Sequence, residues 1–182
     1  MDNSRDAPFA VEVAGLRVGA LDLCAASLRY FDPDGSFAAA VLETIGRPLP
    51  KPLRAASYTA GSIHAQVILA WRSPTETLLL CSERTVMAEF ERRLLSLADG
   101  CMVDQSGGVC VFQAQGGRAR DLLRRMGATT AIPNLSEARA ARLAELPVLT
   151  LCVKAEEFLL IVERVYADHL VEWMRTTAAD FN

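Results

Sequence analysis

The side chains able to do chemistry are few and scattered. His64 and His169 are the only histidines in 182 residues, too few for an imidazole-rich metal site. His169 falls on a predicted helix beside Val165 and Trp173, where it reads as structural. Cys24, Cys81, Cys101, Cys110 and Cys152 are odd in number and form no CxxC pair. Neither a disulfide framework nor a zinc site is expected, and most of them read as small buried hydrophobes. Asp104-Gln105-Ser106-Gly107-Gly108 sets a serine among an acid and two glycines. A nucleophilic serine also needs a positioned base and an orienting acid, and His64 is the only histidine upstream, so the string reads as a turn joining two strands. Gly116-Gly117 could present N–H groups to an anion at a helix start, reinforced by Arg118 and Arg120, although a turn is the plainer reading. Neither GxGxxG nor GxxxxGKS/T occurs, so nucleotide binding has no positive support. The carboxylate pairs Glu89/Glu91 and Glu156-Glu157 read as solvated surface. No constellation declares a reaction.

Charge is uneven around a formal net of −3. Residues 1–116 carry 10 basic and 13 acidic groups, residues 117–142 carry 6 and 2, and residues 143–182 carry 3 and 7. The middle block is wholly arginine: Arg118, Arg120, Arg124, Arg125, Arg139 and Arg142. It reads either as a solvated helix face with a charged loop or as an anion or interface patch, because arginine suits desolvated pairing. An acidic chain without a net basic face is not a general nucleic-acid binder. The first twenty residues lack a basic start and an unbroken apolar core, and no apolar run approaches the ~20 residues of a membrane span. A cytoplasmic protein without membrane contact is expected. With 51% hydrophobic residues, the chain has apolar surface to bury, and a permanent partner is one place for it.

Elements that must position these groups follow from periodicity and breakers. Residues 1–10 read as a tail, and Val11–Leu23 as a first apolar stretch. Ala26–Phe31 is a strand ended by Asp32-Pro33-Asp34-Gly35. Asp34 or Ser36 can cap a helix from Phe37 to Ile45, which Gly46 stops. Three prolines in Arg47–Pro52 make an extended connector and the candidate hinge. His64–Trp71 and Glu76–Cys81 form a hairpin. A helix follows over Arg84–Ala98, with Val86, Phe90, Leu94 and Leu97 on one face. Cys101–Gln105 and Val109–Gln113 are strands joined across Ser106–Gly108, and a helix spans Arg118–Met126. Three strands, Ala140–Leu146, Val148–Val153 and Phe158–Val162, precede a closing helix over Ala167–Thr177. Helices recurring after groups of strands predict an α+β fold: two ferredoxin-like, split βαβ units, with antiparallel sheets and helices on one face. Residues 1–25 would be a tail and first strand, and 26–182 one domain of two halves hinged near 47–62.

Several blocks occur in a telling order. They are Leu69-Ala70-Trp71-Arg72-Ser73-Pro74-Thr75-Glu76-Thr77-Leu78-Leu79-Leu80, Val103-Asp104-Gln105-Ser106, Gly116-Gly117-Arg118-Ala119-Arg120-Asp121-Leu122-Leu123, Ala141–Leu149 and Phe158–Ala167. Together they resemble the gamma subunit of heterotetrameric sarcosine oxidase, within the group sharing the folate-binding fold of the glycine-cleavage aminomethyltransferase. The resemblance runs from about Ala26 to Trp173. Ser73 and Gln115-Gly116-Gly117 depart from the family's Gly and Ser-Gly-Pro at the corresponding turns.

The resemblance implies a folate-binding-domain-like fold and a non-catalytic, gamma-type subunit of an oxidase complex that demethylates sarcosine in one-carbon metabolism. FAD, FMN, NAD and tetrahydrofolate would sit on the larger flavin-binding partner subunits, with none bound by this chain. No catalytic residue carries over, because the matching blocks are fold signatures. Trp71, Arg118, Arg120, Arg124, Arg125 and Tyr166 are the interface candidates, since interfaces favour Trp, Tyr and Arg. Two alternatives are a stand-alone folate-binding or aminomethyl-transfer-like protein, whose arginine block meets an acidic ligand, and a self-associating regulatory module forming a homo-oligomer.

Overall fold

In a computed structural model of the chain, residues 9–60, 64–95, 97–127 and 132–181 are described. The first unit runs β3 (Cys24–Tyr30), α1 (Ser36–Ile45), β4 (Ala55–Ala60), β5 (Ala65–Ser73), β6 (Glu76–Cys81), α2 (Arg84–Leu94) and β7 (Gly100–Asp104). The second runs β8 (Val109–Gln115), α3 (Ala119–Met126), β9 (Ala138–Leu143), β10 (Leu146–Lys154), β11 (Glu157–Glu163) and, after a single 3-10 turn at Arg164–Tyr166, α4 (Ala167–Ala179). Its sheet also contains the N-terminal hairpin, β1 (Ala10–Val13) and β2 (Leu16–Leu21), paired antiparallel to β8.

The sheet orders are β4-β5-β6-β3-β7 and β1-β2-β8-β11-β10-β9, with every adjacent pair antiparallel. Read from β7 and from β2, both give the same ferredoxin-like arrangement. In the second unit, however, the outer strand next to β8 comes from the N-terminus rather than from a segment after α4.

Each sheet buries both faces. On the outer faces, Leu28, Leu69 and Leu79 pack under Phe37 of α1 and Phe90 of α2. Phe112, Phe158 and Leu160 pack under Leu122 of α3 and Leu170 of α4. The inner faces meet in a third core, where Ile68, Leu78 and Leu80 oppose Val111, Leu149, Leu151 and Ile161. The result is a four-layer α/β/β/α sandwich. Double burial explains why Leu78-Leu79-Leu80 and Phe158–Val162 are continuous apolar runs rather than alternating ones.

Several sequence expectations change. Within 1–25, where a tail and one strand are expected, the described residues hold two strands that pair into the second sheet, and Leu16 and Val18 of β2 are core residues, 2% and 0% exposed. Arg47–Pro52 lies inside the first unit between α1 and β4, and the units divide instead at Gln105–Gly108. Strand β4 went unread because Ala55-Ala56-Ser57-Tyr58-Thr59-Ala60 carries no apolar alternation. The expected strands on either side of Ser106–Gly108 are present as β7 and β8, and the link carries the chain from one sheet to the other: β7 bonds to β3, and β8 to β2 and β11. α2 ends at Leu94, ahead of the expected Ala98, and Met87 joins Phe90 and Leu94 on its buried face. The N-cap residue of α1 is Gly35, without a side-chain cap of its own. The cap comes from Asp99, whose Oδ1 accepts from the Ser36 hydroxyl at 2.7 Å and Oδ2 from the Phe37 N–H at 3.1 Å. The expected Gly46 stop holds: Gly46 has φ +77° and donates its N–H to Leu42 O, a left-handed C-terminal cap.

Candidate functional site

The arginine block is engaged within the chain. Gly116, at φ +111°, turns where a Cβ would stand 2.4 Å from the Gly15 carbonyl oxygen, so only glycine permits this approach. Its N–H donates to Glu156 O, and the N–H of Arg118 donates to Gly15 O. Two of the donors a helix-start anion would need are therefore spent, and the Cβ position of Gly117 lies 3.8 Å from the Glu156 carboxylate. Arg118 and Arg125 clasp the C-terminal Phe181. Arg118 donates to its carbonyl, and the two guanidinium carbons lie 5.5 and 4.6 Å from the ring centroid. Arg125 also pairs with Asp180 at 3.3 Å. Arg120 donates to Pro133 O at 3.1 Å and stacks 5.3 Å from the Phe158 ring centre. Arg124 pairs with Asp121 at 2.8 Å, Arg139 with Glu137 at 3.1 Å and Arg142 with Glu145 at 3.7 Å. Arg118 and Arg125 tie the α3 region to residues 180–181 and Arg120 ties it to the segment before β9, whereas the pairs of Arg124, Arg139 and Arg142 are local.

Tyr166 sits differently. It follows Val165 at the head of α4, and with Trp173 the three are 80%, 38% and 44% exposed. Leu170, Met174, Thr177 and Ala178 take the inward face of the helix. His169 is exposed, its ring centroid 6.4 Å from that of Trp173, so it belongs to this outer stripe. The spacing 166–169–173 that sets the stripe was visible in the sequence, but only the helix orientation shows it outward. Trp71 is not part of it. It is half-buried on β5 in the other unit, with its backbone N–H donating to Arg54 O at 2.9 Å.

The Ser106 string is a crossover pin rather than a nucleophile loop. The Ser106 hydroxyl accepts from Ala25 N–H at 3.0 Å, and Asp104 accepts the Ser106 N–H at 2.8 Å. Arg164 donates to the carbonyls of Ser106, Gly107 and Val109, fixing the passage between sheets from the 3-10 turn.

At one end of the inter-sheet core opens a 360 Å³ cleft lined by Leu78, Val109, Leu149 and Ile161, with Arg72, Arg142 and Glu163 at its margin. Sequence reading missed the partly buried polar chain beside it. Arg72 donates to Glu76 Oε1 at 3.0 Å, and the Ser27 hydroxyl donates to the same oxygen at 2.6 Å. Ser27 and Glu76 are 49 positions apart and meet only because β3 and β6 pair.

Burial pushes the thiols of Cys81 and Cys152 above their ordinary range, the reverse of what a reactive thiolate requires. Cys24 and Cys110 are half-buried and Cys101 is exposed. Burial likewise raises the Tyr58 phenol, against the opposing charge of Arg47, whose guanidinium lies 5.4 Å from the ring centroid. Hydrogen bonds from Arg92 and then Arg93 hold Glu89 down to about 2. Among the described residues no group of three or more His, Cys, Asp or Glu side chains could hold a metal, and no helix is long and apolar enough to cross a membrane.

No family model and no curated protein matches the sequence. Solved structures do match. A chain of the heterotetrameric sarcosine oxidase from Corynebacterium sp. U-96, in complex with pyrrole 2-carboxylate, superposes at a TM-score of 0.78 and 20% identity, covering 91% of this chain and 85% of that one. The glycine cleavage system aminomethyltransferase T from Bartonella henselae superposes at 0.61 and 12% identity over 85% of this chain, which spans only 44% of that enzyme. The chain thus has the paired ferredoxin-like α+β fold of that sarcosine oxidase chain and of part of the aminomethyltransferase.

Proposed function

We propose that this chain is a non-catalytic, gamma-type subunit of a heteromeric sarcosine oxidase-like complex. The observation that carries the reading is the likeness, nearly end to end, to one chain of a heterotetrameric oxidase. In this reading the larger flavin-binding subunits hold FAD, FMN, NAD and tetrahydrofolate, and this chain supplies a docking surface. The Val165, Tyr166 and Trp173 stripe is the surface offered, because exposed aromatic anchors on a rigid helix are what interfaces use. Co-expression with flavin-binding sarcosine oxidase subunits is expected to give a stable complex, which Tyr166→Ala combined with Trp173→Ala weakens. A chain that stays monodisperse in their presence overturns the reading.

A stand-alone folate-binding role fits the side chains less well. The cleft offers an apolar floor, but Arg72 is already compensated by Glu76, and Arg142 by Glu145. An acidic ligand would find no unengaged cation at that margin. A thermal-shift titration with tetrahydrofolate is expected to leave the melting temperature unchanged. A rise that grows with ligand concentration would favour the folate-binding role instead.

A further inference from the structure

The two units are built to one plan, and the plan is completed in only one of them. In the second sheet, the strand next to β8 is β2, and β2 is covered in turn by β1. In the first sheet, the equivalent strand is β7, and it ends the sheet. The direction of the free backbone groups follows from register. Gln105 N–H donates to Ala25 O at 2.8 Å and Phe31 N–H to Asp99 O at 3.2 Å, within the ladder that pairs Ala26 with Asp104 through to Tyr30 with Gly100. Antiparallel pairing alternates, so the odd-numbered residues of β7 bond to β3. The N–H and C=O groups of Gly100, Met102 and Asp104 therefore point away from the sheet. Among the described residues they have no backbone partner.

The edges differ in what covers them. β1 carries Glu12, and β9 carries Arg139 and Arg142. The start of β4 is tied to the opposite sheet by Ala55 N–H to Ser136 O and Ala138 N–H to Leu53 O. β7 is Gly-Cys-Met-Val-Asp, without proline or lysine, and its one charge, Asp104, stands at its end, leaving Gly100–Val103 uncharged. Its Cys101 is exposed, and Val103 is 37% exposed.

We propose that β7 is a docking edge for the β7 of a second copy of this chain, paired antiparallel about a two-fold axis at Met102. The sequence is self-complementary in that register. The free N–H and C=O of Met102 meet their own counterparts, an isologous contact that closes on itself. Asp104 falls opposite Gly100, so no like charges face each other, and Cys101 falls opposite Val103, a small apolar pair. Two five-stranded sheets become one of ten. The contact concerns the chain alone and uses a different unit from the α4 stripe, so it does not depend on the subunit reading.

Sedimentation velocity of the full chain at increasing concentration, under reducing conditions, is expected to show a monomer–dimer equilibrium. Val103→Lys places a charge on the exposed edge, and Met102→Pro removes an N–H that the fold itself does not use. Both are expected to remain monomeric at concentrations where the unsubstituted chain is dimeric, with unchanged circular dichroism for Val103→Lys. In a two-fold pair centred on Met102, Cys101 opposes residue 103 at the close, non-hydrogen-bonded spacing of about 4.5 Å between Cα atoms. Mild oxidation of Val103→Cys is therefore expected to give a covalent dimer that Cys101→Ser abolishes. A chain that is monomeric at every concentration, a dimer indifferent to Val103→Lys, or a Val103→Cys variant that fails to cross-link would each overturn the proposal.

Discussion

Gly100 shows how one side chain's absence holds two elements together. A Cβ there would stand 2.3 Å from Phe37 Cγ and 2.7 Å from Arg29 O, so β7 can lie against α1 only as glycine. Gly100→Ala is expected to cost about 1–3 kcal/mol, as overpacking in a filled core does, measured by urea denaturation. Asp99, beside it, caps a helix that begins 63 residues earlier. Hydrogen bonds from Ser36 and Phe37 lower its pKa, so its contribution to stability is present above the ordinary aspartate value and is lost as pH falls through the depressed one. Asp99→Asn is therefore expected to destabilise the chain at neutral pH and to narrow the gap from the unsubstituted protein in acid, followed by thermal melting across pH.

At the scale of elements, Glu89 adds a small, surface-exposed contribution to α2. Its carboxylate accepts from Arg92 and Arg93, one turn on, which is the favourable order of acid before base along a helix. Because its pKa falls from 4.5 to about 2, the stabilisation is complete above pH 4.5 and disappears as pH drops toward 2. Glu89→Gln should flatten the acid limb of the stability profile over that interval, read by the helical circular dichroism signal. Elements were the most legible part of the sequence. Gly46 marked the end of α1, and the 3.6-residue periodicity marked α2, because both signals are local. β4 carries no local signal because its small, polar residues resemble a loop until β5 pairs with them, and Ser106–Gly108 was legible as a link between two strands, although strand order in sequence does not say which sheet receives each strand.

For the whole molecule, the inter-sheet core of Ile68, Leu78, Leu80, Leu149, Leu151 and Ile161 makes the two units one cooperative body. The two tryptophans report on them separately, Trp71 in the first and Trp173 in the second. Single-tryptophan variants, Trp71→Phe and Trp173→Phe, are expected to give coincident fluorescence transitions in denaturant, the mark of two-state unfolding. Leu151→Ala, in that shared layer, should move both together by about 2–5 kcal/mol. Removing residues 1–21 is expected to abolish the cooperative transition of the whole chain, since Leu16 and Val18 leave the core of the second unit with them.

What the sequence determined by itself was local and compositional: helix stops, strand-rich order, the two-unit α+β class and the scarcity of reactive groups. The candidate site was legible only in part. Tyr166 lies on an exposed aromatic stripe, whereas the arginines from Arg118 to Arg142 turned out to be committed to Phe181, Pro133 and neighbouring carboxylates, partners whose approach depends on folding. The large apolar fraction had pointed to a partner, yet much of it is taken up by two sheets that each bury both faces. Only the tertiary structure decided that, along with the closing of the second sheet by the N-terminus and the opening left beside β7. Side-chain type and spacing act through neighbours a few residues away, whereas strand order, buried pairing and free edges arise between segments far apart in the chain.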